Sequence, residues 1–75
     1  LARLDQLEAM RRAEKVREAL EQLKPSERDA VVLRYESGLD YREIGEACGI
    51  EEAAARKRVS RGLARMRELL SEVER

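Results

Sequence analysis

The segment G-L-D-Y-R-E-I-G-E-A-C-G-I, residues 38–50, holds three helix ends within thirteen positions. Gly38 suits the left-handed stop of a preceding helix. Asp40 then caps a new one, and Glu43 stands three residues on, where its carboxylate can reach back to the Asp40 backbone in a reciprocal capping pair. Ile44 and Ala47 are expected to form the buried side of this short helix. Gly49 closes it after only two turns or so, Ile50 supplies an apolar plug, and Glu51 and Glu52 place negative charge where the start of a further helix favours it. Two helices joined by so tight a glycine turn have helix–turn–helix spacing.

Outward from this segment the sequence stays helical. Pro25 fits the first position of a helix, where its missing N–H is not needed, and predicts a helix over residues 25–37 that carries Ala30, Val31, Leu33 and Tyr35. Before it, Leu4, Leu7, Val16, Leu20 and Leu23 recur at mixed three- and four-residue steps over residues 2–23. The middle of that first helix is weakly apolar, so its early half is expected to dock loosely. After the turn, Ala55, Val59, Leu63 (with Gly62 as its alternative), Met66 and Leu70 form a stripe that can pack on the second and third helices. The expectation is an all-α bundle of about four helices: one small domain over residues 1–75, with an N-terminal helix at 1–23 and the helix–turn–helix core at 25–75. Composition agrees, since 43% of residues are charged and 3% aromatic, with no Trp or Phe, which is far from the β-branched and aromatic content of a sheet protein.

The net charge is zero, from 16 basic and 16 acidic residues, and taken alone it argues against a nucleic-acid partner. The distribution says otherwise. Residues 53–67 carry Arg56, Lys57, Arg58, Arg61, Arg65 and Arg67 with no acid, so the remainder of the chain is correspondingly acidic. An exposed helix normally mixes signs to gain side-chain pairs, as Glu14 and Glu18 do near Lys15 and Arg17, and this window forgoes that gain. At 100° per residue, Arg56, Lys57, Ser60, Arg61 and Ala64 share the side opposite the apolar stripe. Small Ala53, Ala54 and Ala64 let a backbone approach a groove wall, while arginine forks reach phosphates or the O6/N7 edge of guanine. Glu51 and Glu52 either point away from DNA or accept from a cytosine amino group. Tyr41, at the start of the short helix, either donates to a phosphate or packs. Arg42 beside it is expected to hold the phosphate backbone of any sequence alike. Tyr35 is expected in the core.

Other chemistry finds no residues. There is no histidine, and the single cysteine, Cys48, is expected as a small buried hydrophobe, so neither a disulfide, a Cys/His metal site nor a Cys–His nucleophile can be built. Adjacent Glu51 and Glu52 splay apart on a helix and make a poor acid–base pair. No enzyme activity, cofactor or metal is expected. No apolar run approaches membrane-spanning length and the N-terminus lacks a signal-peptide core, which points to a soluble, cytoplasmic domain; a start at Leu1 suggests one excised from a longer chain.

Three blocks together resemble region 4 of the sigma-70 family of transcription initiation factors, above all its compact extracytoplasmic-function group. They are L-x-x-L-K-P-S-E-R-D-A-V-V-L-R-Y at residues 20–35, residues 38–50 as quoted, and A-R-K-R-V-S-R-G-L-A-R-M-R at residues 55–67. The resemblance implies that Arg56, Lys57, Ser60 and Arg61 face the −35 promoter element, with Arg58 and Tyr41 near the DNA backbone. It also implies double-stranded promoter DNA, the RNA polymerase β-flap and an anti-sigma factor as partners. In the family the early helices meet the flap, so either an exposed apolar patch stands around Val32, Leu33 and Leu39, bordered by Glu36, or the second helix is central to the bundle and buries all of Ala30, Val31, Val32 and Leu33. The sequence departs from the family pattern at residues 51–55, where Glu51, Glu52, Ala53, Ala54 and Ala55 replace a small polar run. It departs again at Leu23-Lys24-Pro25, where the family's Leu-Pro step is displaced by one residue. Nothing here corresponds to region 2. Two alternatives remain open at this level: a response-regulator effector domain that dimerises, and a sigma-like mimic that binds an anti-sigma factor without DNA. Oligomeric state is not legible.

Overall fold

The computed structural model describes residues 2–74, and its regular structure there is entirely helical. The order is α1 (Ala2–Glu21), α2 (Pro25–Tyr35), α3 (Tyr41–Cys48) and α4 (Glu52–Glu74). Two helices stop about two residues earlier than the sequence suggested. At the end of α1 the N–H groups of Gln22 and Leu23 bond the Ala19 and Leu20 carbonyls, three residues back, at 3.1 Å each. That tightening exhausts the helix, and Pro25 holds Lys24 in extended backbone with φ −58° and ψ 141°. At the end of α2 the Ser37 N–H reaches the Val32 carbonyl, and Gly38 at φ 70° turns the chain so that the Leu39 N–H meets the Leu33 carbonyl at 3.0 Å.

The expected cap of α3 is present in both directions. The Asp40 carboxylate accepts from the Glu43 N–H at 2.8 Å, and the Glu43 carboxylate accepts from the Asp40 N–H at 3.0 Å. The Glu43 N–H holds the Asp40 carboxyl below its ordinary pKa, aided by the nearby Arg42 charge. At the other end Gly49 adopts φ 69°, and the Ile50 N–H returns to the Gly45 carbonyl at 2.9 Å, the six-to-one bond of a Schellman turn. Ile50 then packs on the cluster beneath.

α4 is the spine on which α1, α2 and α3 all rest. Two hydrophobic clusters line it: Ala19, Leu23, Val31, Met66 and Leu69 toward α1, and Ala30, Ile44, Ala55 and Val59 toward α3, with Leu63 packed against both. The buried row of α4 is therefore Ala55, Val59, Gly62, Met66 and Leu69. Its alternating four- and three-residue steps keep the row facing inward, so Gly62 and Leu69 take the inner places while Leu63 and Leu70 are half-buried.

Several inner positions differ from expectation. On α3 the buried residues are Ile44 and Gly45, with Cys48 half-buried, and Ala47 is exposed. The centre of that face lies between Ile44 and Gly45, and Ala47 stands about 100° away from it on a helix of 3.6 residues per turn. Tyr35, expected in the core, is 63% exposed because it stands at an open groove lined by α1, α2 and α4. Val32, Leu33 and Leu39 do not form an open patch: all three are half-buried, and Leu33 and Leu39 pack on the α3-side cluster. The apolar surface left open lies instead on α1 and Tyr35, with Leu4 and Met10 more than 60% exposed. Only the last turns of α1 dock, as its weak middle suggested. The molecule is 46 Å long, whereas the 23 residues of α4 span about 35 Å, so α1 projects beyond the bundle. No helix among the described residues is long and apolar enough to cross a membrane.

Candidate nucleic-acid interface

Two close approaches fix where α4 lies. A Cβ built on Gly45 would stand 2.7 Å from the Ile50 carbonyl oxygen, so α3 and the strand of chain entering α4 touch backbone to side-chain position. A Cβ on Gly62 would stand 2.6 Å from Val31 Cγ2 and 3.3 Å from the Glu27 carbonyl, which sets the α2–α4 spacing. The sequence singled out Gly49 for this turn and passed over Gly45, whose only signal was a glycine inside an otherwise well-capped helix.

From that anchored start, α4 presents Ala53, Arg56, Lys57, Ser60 and Arg61 around one shallow depression of about 460 Å³, and all five are exposed. Arg56, Lys57 and Arg61 have no ion-pair partner among the described residues, whereas Arg17, Arg42 and Arg65 pair with Glu14, Glu46 and Glu68 at 3.4, 2.7 and 3.0 Å. Three free cations and a hydroxyl converging on one concavity form a surface for anionic oxygens or base edges. The N-terminal end of the helix, with its first bond from the Ala55 N–H to the Glu51 carbonyl at 3.0 Å, adds partial positive charge to the same end. Glu51 and Glu52 line a separate depression with Arg42, Gly45, Glu46, Gly49 and Ile50, not the cationic one.

The remaining sequence-chosen residues are dispersed. Arg58 is half-buried and lines a third depression with Ser26, Asp29, Val32, Leu33, Ala47 and Cys48, away from Arg56 and Arg61. Arg42 is exposed and engaged with Glu46 along α3. Tyr41 packs its ring on the α3-side cluster, and the guanidinium carbons of both Arg34 and Arg56 lie 4.9 Å from the ring centroid. Arg34, which the sequence did not single out, also donates from Nη1 to the Leu39 carbonyl at 3.1 Å. Only the folding of α2 against α3 reveals it. Among the described residues no group of three or more His, Cys, Asp or Glu side chains is placed to hold a metal ion.

A short capped helix followed, across a left-handed glycine, by a longer one whose outer face is free to enter a groove defines the helix–turn–helix class of DNA-binding proteins. The family model for sigma-70, region 4, matches residues 13–66, which include every residue of the cationic depression, and the chain belongs to that family. Over 57 residues it is 49% identical to the RNA polymerase sigma factor CarQ of Myxococcus xanthus, an alignment covering 76% of this chain and 33% of that protein. The chain thus spans about a third of the length of this curated relative. No solved structure matches it. The family comprises transcription initiation factors rather than enzymes, and this chain is its DNA-binding helix–turn–helix module.

Proposed function

We propose that the chain reads the −35 promoter element through α4 and docks on RNA polymerase during transcription initiation. The observation that carries this reading is the depression formed by Arg56, Lys57, Ser60 and Arg61, left free of carboxylates on the helix that follows the turn. In the resulting pose the first turns of α4 enter the major groove, α3 crosses the phosphate backbone, and Arg42 and Tyr41 lie on the backbone side. Arginine forks at Arg56 and Arg61 can each take a guanine O6/N7 pair, worth about 1–3 kcal/mol of discrimination per base pair. Lys57 contributes attraction to phosphate with little sequence preference.

Docking on the polymerase β-flap, or occlusion by an anti-sigma factor, falls to a separate surface that shares no residue with the cationic depression. An apolar groove of about 610 Å³ there is lined by Val16, Leu20, Val32, Tyr35, Leu63 and Met66 among others. It opens where α1 leaves the bundle, and both partners would bury Tyr35. A cytoplasmic location follows from this role.

Random-site selection with the 75-residue chain tests the reading. It should recover duplexes sharing one short motif, and Arg61→Ala should lose preference at one base pair of that motif while retaining binding. Recovery of unrelated sequences by a folded protein would refute promoter reading.

A further inference from the structure

Arg56 stands apart from the other cations of the depression. It is exposed and has no carboxylate partner among the described residues, yet its guanidinium carbon lies 4.9 Å from the centre of the Tyr41 ring. The ring is itself half-buried, packed on the cluster of Ala30, Ile44, Ala55 and Val59. From the α2 side Arg34 lies over it at the same 4.9 Å, tied by its hydrogen bond to the Leu39 carbonyl in the α2–α3 connection. Three helices therefore meet at one aromatic ring, and two guanidinium groups of like charge share it. Nothing in the packing of a small bundle calls for two cations on one ring, since like charges held close repel and each forgoes a carboxylate. The electrostatic attraction of a cation to a ring face can offset that repulsion, and it leaves the Arg56 donors without a partner among the described residues.

Resting on the promoter reading above, we propose that Arg34 and Tyr41 are positioning residues that hold the Arg56 guanidinium in its base-reading pose before DNA arrives. Tyr41 acts through its ring rather than its hydroxyl, and Arg34 acts through Tyr41 without touching DNA. A pre-positioned arginine loses less side-chain freedom on binding, and its fork meets the base edge at a fixed angle, so the effect falls on discrimination at one base pair.

The test uses the 75-residue chain, the duplex recovered by random-site selection and its single-base variants. Tyr41→Leu and Arg34→Met should each reduce discrimination at the base pair that Arg56→Ala flattens, by about two- to five-fold, the range of an exposed cation–ring contact. Tyr41→Phe should retain it. Combined with Arg56→Ala, neither change should have a further effect there. Thermal melts identify any variant that fails to fold, and Arg34→Met stands in for Tyr41→Leu if the latter does. In the free protein, the Arg56 Cδ protons should be shifted upfield by the ring in the parent and in Tyr41→Phe, and not in Tyr41→Leu.

Additive losses in the double variants would overturn the proposal, as would a loss in Tyr41→Phe equal to that in Tyr41→Leu. A salt slope reduced by about one in Arg34→Met would instead make Arg34 a phosphate contact. Unshifted Arg56 protons in a protein that does select a motif overturn the stack alone, whereas a parent with shifted protons and no motif overturns the promoter reading on which the stack's role depends.

Discussion

Replacing Gly45 by alanine sets two physical effects against each other, and the structure decides between them. Glycine in a helix interior is less favourable than alanine by about 1 kcal/mol, so on propensity alone the substitution should stabilise α3. The added methyl, however, would stand 2.7 Å from the Ile50 carbonyl oxygen, which is backbone and lies in the turn between the two helices. Ordinary contact requires that gap to open by about 0.7 Å. The Ile50 N–H is bonded to the Gly45 carbonyl and its side chain is packed on the cluster below, so the carbonyl cannot retreat without disturbing both. Overpacking of this kind costs about 1–3 kcal/mol, leaving a net destabilisation of up to about 2 kcal/mol. For a domain whose whole stability is on the order of 5 kcal/mol, that is a visible shift in a urea melt. Binding should suffer too, because α4 begins beyond the displaced residue. A Gly45→Ala protein more stable than the parent by about 1 kcal/mol, the gain that helix propensity alone would give, would show that α3 and the turn do not approach as described.

Gly49→Val should lose roughly 1–2 kcal/mol for a different reason: no atom lies within 4 Å of its would-be Cβ, but φ 69° is unfavourable for a branched residue, so Gly49→Asn should be milder in the same melts. Asp40 is held below its ordinary pKa of 3.8 chiefly by the Glu43 N–H, so its contribution to stability is complete above that value and is lost as pH falls through the lowered one. Melting temperatures followed downward from about pH 5 should show an acid limb that Asp40→Asn makes shallower; an identical limb would remove the capping carboxylate from the account. Arg42→Ala, which breaks an exposed pair with Glu46, should leave stability within about 0.5 kcal/mol of the parent and weaken every duplex alike in titrations.

Much of this architecture was legible in the sequence because it is written in local chemistry. The Asp40–Glu43 cap and the Gly49 stop depend on residues a few positions apart, and both took the expected form. The alternation on α4 was nearly so, missing by one residue at Leu69 because a row drifting around a long helix has no single local marker. What the sequence could not convey was set by packing between helices. Ala47 and Tyr35 were expected inside, yet the face of α3 turns toward Gly45 and Tyr35 stands at an open groove between the helices. In the candidate site, helical spacing alone grouped Arg56, Lys57, Ser60 and Arg61, and these four share one depression. Arg58, adjacent in sequence, turns toward α2 and α3 instead. Arg34 was invisible, since its link to Arg56 runs through Tyr41 across three helices.

If the outer face of α4 binds duplex DNA by its charges, that binding must weaken as salt rises. Anisotropy titrations of the 75-residue chain against a selected duplex, repeated across salt concentrations, should give a log–log slope of roughly −2 to −3.5, as expected for neutralising about two to four phosphates, those met by Lys57 and Arg42 among them. Removing Lys57 should bring the slope toward zero by about one. A slope near zero in the parent, or one that Arg56→Ala, Lys57→Ala and Arg61→Ala together leave unchanged, would place any DNA contact elsewhere on the molecule and contradict the account.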